Sequence, residues 1–347
     1  MKKNTIRNLV IIGVSVALVL IIGLTLINND DGAVGTIEDF FPFTENTIHY
    51  FEASEEQFNQ TFFTAHIEGN RMQQLISIPN LETTNVLERA NGELRLVFFD
   101  PEPMGHILHN ITGVVPNVDI IILQEPLALG HSWSSGGDGG YSTIVSVDEV
   151  VETPYRTFTD GLVVVTELDN GFVTRSYFVK GYGRVKETYV STTMDDDGNF
   201  SPFVNTSALA EVRHGGLEVE MLQFVMDDMA MYLEVDFHNF VMHTNQDFNA
   251  TLAEVIPHDV EINSIDVDRS LDLVTVDFAY NFIEGYFGAG TESLVLQGLT
   301  NTIAMFFNVE NFRITINGNN FSTGHMYFGD DEYLTIDFSN LVINQSN

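Results

Sequence analysis

Cysteine is absent from the 347 residues. That excludes a disulfide framework, thiolate metal sites and cysteine nucleophiles. It also excludes the lipidated cysteine of a bacterial lipoprotein anchor. Cations are scarce: Lys and Arg total 14 against 49 Asp and Glu. Three of them, Lys2, Lys3 and Arg7, precede an apolar segment, and no acid occurs before Asp30. Beyond that segment eleven cations face 49 acids, a net charge of −38. Such a surface repels nucleic acid, whose binding needs a basic patch. The acidity reads as a surface suited to high salt or as that of an ordinary acidic envelope protein; with only Lys180 and Lys186 as lysines outside the N-terminal flank, the first is favoured, and the charge speaks of habitat rather than partners.

Motifs for chemistry are also missing. The run 195–199 (DDDGN) fails as a helix-flanked calcium loop, because the sixth residue from Asp195 is Phe200 and the twelfth is Thr206, where Gly and Glu are required. His106 and His109 are three apart with no Glu between them, not the i, i+4 pair of a zinc peptidase. His238, His243 and His325 lie in or beside strand-like text and read as structural. The Gly-rich run 135–140 lacks the Lys-Ser/Thr of a phosphate loop and reads as a flexible hairpin tip. There is no G-x-S-x-G elbow. Trp133, the one tryptophan, reads with Tyr141 as a core aromatic opening a β unit rather than a sugar platform. The sequence therefore singles out no catalytic, cofactor-binding or metal-ligating residue. No enzyme activity and no cofactor are expected.

What is present is a hydrophobic fraction of 44% with 27 Phe, ample for sizeable cores. The length suits two or three domains. Residues 9–27 (LVIIGVSVALVLIIGLTLI) carry no charge. At about 1.5 Å each they span roughly 28 Å, close to a bilayer core. The flanking cations put the N-terminus in the cytoplasm and the remainder outside. No small-x-small cleavage site follows, so an uncleaved single-pass anchor at the cell membrane is expected.

Residues 1–28 are thus a tail and transmembrane anchor, and 29–40 a spacer. From 41 to 192 the text is strand-like. Asn91-Gly92 and Asn170-Gly171 each sit between apolar runs, a strong hairpin signal. Counting from Tyr50 to the first turn and from Trp133 to the second gives two similar β units, 41–120 and 121–192. Residues 193–210, with Gly198 and Pro202, read as a linker. In 211–347 a helix face shows at Phe248, Leu252 and Val255, and another at Leu299, Ile303 and Phe306, behind a start at Thr291-Glu292. Strands are expected at 274–278, 312–316 and 333–342. The alternation predicts an α+β domain.

In this C-terminal part Thr244-Asn245-Gln246-Asp247, Val274-Thr275-Val276-Asp277-Phe278, the stretch from Thr291-Glu292 to Asn301-Thr302 with Val309, Ile316-Asn317-Gly318 and Gly324-His325 follow in a characteristic order. In these residues 211–345 resembles the GerMN (germination protein M) domain of spore-forming Firmicutes. Residues 122–133 (ILQEPLALGHSW) and 177–186 (YFVKGYGRVK) resemble the opening and close of a β-rich repeat of Firmicute envelope proteins, and 41–99 is a more divergent copy. The GerMN resemblance implies a role in spore formation and germination, side-by-side assembly in the envelope, and no known catalysis. The expected fold is an N-terminal transmembrane helix, then mostly antiparallel β repeats, then an α+β GerMN-like domain. The expected function is a non-enzymatic, membrane-anchored extracytoplasmic scaffold, whose partners are the membrane, envelope proteins or further copies met through the C-terminal domain. The alternative is a module binding cell-wall glycan or a small ligand.

Overall fold

A computed structural model describes residues 32–342, apart from 80, 101–107, 138–139, 195–199, 228–230, 257–259, 281, 283–290 and 324. After a four-residue helix α1 (Ile37–Phe40), the chain forms two six-stranded meanders. The first holds β1 (Thr47–Ala53), β2 (Gln60–Glu68), β3 (Arg71–Ile78), β4 (Leu81–Ala90), β5 (Glu93–Asp100) and β6 (Ile120–Gln124). The second holds β7 (Ser132–Ser134), β8 (Gly140–Glu152), β9 (Thr157–Leu168), β10 (Val173–Val179), β11 (Gly183–Met194) and β12 (Phe200–His214). They form one twelve-stranded sheet in the order β6-β5-β4-β3-β2-β1-β12-β11-β10-β9-β8-β7.

The halves join where β1 pairs antiparallel with β12, from Thr47↔His214 to Ala53↔Ser207. At the far side the two edges meet. Ile120 bridges Gly136, the Ile121 N–H donates to the Ser135 carbonyl at 2.7 Å, and Trp133 Nε1 donates to the Ile121 carbonyl at 3.2 Å. Gly136 is required there, because its φ is +75° and a Cβ would lie 2.4 Å from the Asp119 carbonyl oxygen. The sheet is therefore a nearly closed barrel, which removes most of its exposed edge.

Alternation puts one residue in two inside the barrel. Leu94, Leu123, Trp133, Ile144 and Leu162 form one inner cluster, into which Ile37 and Phe40 of α1 also pack. Phe51, Phe62, Phe158, Val185 and Leu209 form another. A capping box between Thr36 and Asp39 holds α1, and the Ile37 N–H donates to Glu125 Oε1 at 2.9 Å.

The C-terminal unit begins with the hairpin β13 (Leu217–Met226) and β14 (Leu233–Met242). There follow α2 (Phe248–Val255), β15 (Ile262–Asp268), β16 (Leu273–Phe278), α3 (Glu292–Phe306), β17 (Asn311–Ile316), β18 (Asn319–Asn320) and β19 (Leu334–Thr335). β16 and β17 are parallel, as a strand–helix–strand crossover through α3 demands. The helix lies between this sheet and the β13–β14 hairpin, so it is buried nearly all round, Asn301 and Thr302 included.

These findings correct the expected fold. The β text is one sheet of two interlocked halves rather than two consecutive repeats, since β1 pairs with β12 and both halves fill the same inner cluster. The turns that suggested the repeat are not equivalent. Asn91-Gly92 joins the fourth and fifth strands of its half, while Asn170-Gly171 joins the third and fourth of the other. The expected linker 193–210 is strand on both sides of 195–199, with Met194 paired to Phe200. The closing strand expected over 333–342 is ordered into the sheet only at Leu334–Thr335. No helix among the described residues is long and apolar enough to cross a membrane. Residues 9–27 lie outside the described residues.

The barrel and the C-terminal unit share a core. On the outer face of the barrel, Ile48, Phe63, Ala65 and Leu75 pack in one cluster with Met221, Phe240, Phe248 and Phe307 of the C-terminal unit. Inside that unit Gly298 of α3 packs closely on β13: a Cβ there would lie 2.4 Å from the Phe224 carbonyl oxygen. Gly298→Ala should therefore lower stability by about 1–3 kcal/mol through overpacking, although Ala is the better helix former. Urea denaturation of the two proteins side by side checks this.

Candidate functional site: the C-terminal unit and its open edge

The residues that carry the GerMN resemblance hold the unit together. Thr244 and Asn245 clamp it to the barrel. The Thr244 hydroxyl donates to the Thr64 carbonyl at 2.7 Å and accepts from the Asn46 N–H at 2.7 Å. The Asn245 N–H donates to the Ala65 carbonyl at 2.9 Å, and its side-chain oxygen accepts from the Ile67 N–H at 2.8 Å. Those barrel groups are available because the β2–β3 register slips between Thr64 and His66, leaving Ala65 bulged. Asn245 adopts φ +62°, a conformation that Asn tolerates better than most residues. Asp247 caps α2 through the Ala250 N–H at 3.2 Å.

Asp277, on β16, accepts from the Gly318 N–H and the Thr315 hydroxyl, both at 2.7 Å, and from the Asn263 amide at 3.0 Å. Burial pushes its carboxyl up. The three hydrogen bonds outweigh that and hold it below the ordinary value. It thereby fixes the Asn317-Gly318 turn, whose two residues have positive φ. Glu292 is buried and accepts from the Thr323 hydroxyl. Asn301 holds the chain near Asp337 by two hydrogen bonds, at 2.7 and 2.9 Å. Thr302 accepts from the Phe224 N–H at 2.9 Å.

The residues weighed for chemistry are scattered. His106 and the run 195–199 lie outside the described residues. The His109 ring packs edge-on against Phe248, with centroids 4.8 Å apart. His238, His243 and His325 are exposed rather than built into a core. Trp133 is buried, so only Tyr141 of that pair faces solvent. The described part of the Gly-rich run is pressed against Asp119 and Ile120 at the barrel seam, not held out as a flexible tip. Among the described residues no group of three or more His, Asp and Glu could hold a metal ion.

What the unit presents outward is the edge of β14. Its first residue, Leu233, exchanges backbone hydrogen bonds with Asn340 and Val342 at 2.9 Å. By alternation the backbone groups of Val235, Phe237, Asn239 and Val241 point the same way, and among the described residues no strand pairs with them. Only the Phe237 N–H is masked, by Asp236 Oδ1 at 2.8 Å. The Phe237 side chain is 66% exposed and Val241 42%. Sequence reasoning passed over this hairpin, though the alternation over 217–226 and 233–242 was there to find it.

Residues 204–321 match the Germane family, described as sporulation and spore germination. The C-terminal unit is a GerMN-like domain. Its match includes most of β12, so the similarity reaches into the barrel. A solved structure, the tandem GerMN domains of the sporulation protein GerM from Bacillus subtilis, is 16% identical with a TM-score of 0.26. The alignment covers 34% of this chain and 46% of that one, so the chain spans under half the length of that relative. No curated protein matches the chain.

Two outcomes are expected of the GerMN-like domain. Asn245→Ala should cost about 1–3 kcal/mol, through loss of the exposed hydrogen bond to the Ile67 N–H and through the strain of Ala at positive φ. Asn245→Gly, which relieves the strain, should still speed hydrogen exchange at the Ile67 amide. Asp277, with its folded pKa depressed, contributes stability above its unfolded pKa of about 3.9 and loses it as pH falls through the folded value. Asp277→Asn should therefore be less stable at pH 7 and flatten the acid limb of a pH–stability curve.

Proposed function

We propose that the protein is a non-enzymatic, membrane-anchored scaffold outside the cytoplasm, acting in spore formation or germination, and that copies assemble through the GerMN-like domain. The observation that carries this is the open edge of β14, with Phe237 at its middle and unpaired backbone groups on either side. Such an edge accepts a strand from another chain, main-chain hydrogen bonds giving affinity and an exposed aromatic giving an anchor. Similarity to sporulation and germination proteins supports the setting. The uncharged residues 9–27 and the cations before them support the tether and its orientation.

A net charge of −38 beyond residue 27 opposes association of like copies at low ionic strength. At 1 M salt the screening length is about 3 Å and the opposition fades. Sedimentation velocity of the full chain in nanodiscs should therefore show self-association that strengthens from 0.1 to 2 M KCl. Phe237→Asp should weaken it by roughly tenfold or more, equivalent to about 1.4 kcal/mol. A wild-type chain that stays monomeric throughout that series would sink the proposal.

A further inference from the structure

Between the two inner clusters of the barrel lies a cavity of about 110 Å³. Phe51, Phe62 and Phe178 supply aromatic wall, and Phe41 with Pro42 borders it from the segment after α1. The strand register places Thr64, Gln74 and Asn85 side by side on β2, β3 and β4, and all three line the cavity with His49 of β1. The rows on either side are largely apolar, Met72↔Leu87 on one and Phe62↔Ile76 on the other. One polar row thus interrupts an apolar interior.

Buried polar groups are costly without partners, and two groups of this row are short of them. Asn85 Oδ1 is buried with no hydrogen-bond partner. The Thr64 hydroxyl reaches only the Met72 sulfur, at 3.7 Å. No hydrogen bond is made by the side chain of His49 or Gln74 among the described residues. Burial and the nearby His214 hold the His49 imidazole at about 4, so it is neutral at pH 7, one ring nitrogen donating and the other accepting. The cavity's one formal charge, Arg184, is bonded to Glu187 at 2.7 Å and lies over the Phe62 ring. With that charge already paired, a charged guest would find no unpaired counter-charge to offset its desolvation. A cavity of roughly 150 Å³ accommodates benzene in another protein; this one is smaller but not fully enclosed, so a single ring is the largest guest it suits.

We propose that this cavity binds a small, uncharged, single-ring molecule with hydrogen-bonding groups on one edge, the chemistry of a phenol. Its ring sits among Phe51, Phe62 and Phe178, and its polar edge meets Asn85, Gln74 and His49. The site is independent of the assembly edge on β14.

The test follows the methyl NMR signal of Met72 in the full chain in nanodiscs, titrated with phenol, benzene and benzoate. Phenol should shift the signal saturably, with a Kd in the low-millimolar range or tighter. Benzene should bind at least about tenfold more weakly, and benzoate should leave the signal unmoved. Asn85→Leu should weaken phenol about tenfold and change benzene little; Gln74→Leu serves the same purpose should the first variant not fold. A Met72 signal indifferent to phenol means that the row holds water only and overturns the proposal. So does benzene binding as tightly as phenol, benzoate binding as well as either, or a folded variant with undiminished phenol affinity.

Discussion

Everything in this molecule hangs on a strand buried on both faces. β1 pairs with β12 on one side and β2 on the other, so it sits in the middle of the sheet and holds its two halves together. Its inward residues Thr47, His49 and Phe51 line the barrel cavity. The outward ones, Ile48 and Tyr50, pack into the core shared with the C-terminal unit. A register slip of one residue would send each set to the wrong core at once. The β1–β12 pairing must therefore be specified by two independent packing surfaces, which is a strong constraint on a seven-residue segment.

From that constraint follows a second. A scaffold of β spacers ending in a free domain would let the domain swing on a linker. Here the outer face of the barrel is part of the domain's core, and the Ala65 bulge offers carbonyls that Thr244 and Asn245 occupy. The barrel and the GerMN-like domain behave as one body. Cutting at residue 211 would sever β12 (Phe200–His214) and expose Met221, Phe240 and Phe248, so any assembly measurement on such a fragment would report artificial surface.

The legible parts of the fold were those specified locally. α2 and α3 showed themselves by apolar spacing, and α3 also by the start at Thr291-Glu292. β16 and β17 showed by alternation, and Asn91-Gly92 by a turn that needs positive φ at both residues. β12 was illegible because its polar text and Pro202 resemble a loop, while its strand character comes from its pairing with β1 and β11. The barrel's closure depends on contacts between β6 and β7 that no short pattern encodes. The polar row inside the barrel was equally hidden, since Thr64, Gln74 and Asn85 become neighbours only through register. The family-like residues could be seen but not interpreted, because their work is clamping and capping rather than chemistry.

The charge gains a sharper meaning once the cations are placed. Each of the eleven beyond Arg7 is committed within the chain. Arg71, Arg89, Arg95, Arg184, Arg213 and Arg313 form ion pairs. Arg156, Arg175, Lys180 and Lys186 lie over aromatic rings, and Arg269 caps the carbonyls of Phe307 and Asn308. Eleven cations cannot neutralise 49 acids, so the field outside the protein is set by the excess of carboxylates. On β14 the acids Glu234 and Asp236 flank the exposed apolar side chains, a pattern that blunts an edge against indiscriminate pairing. In the proposed assembly, an edge guarded in this way would be closed to other chains in dilute salt and would open as counterions screen it. Ionic strength would then govern association directly, without any conformational change.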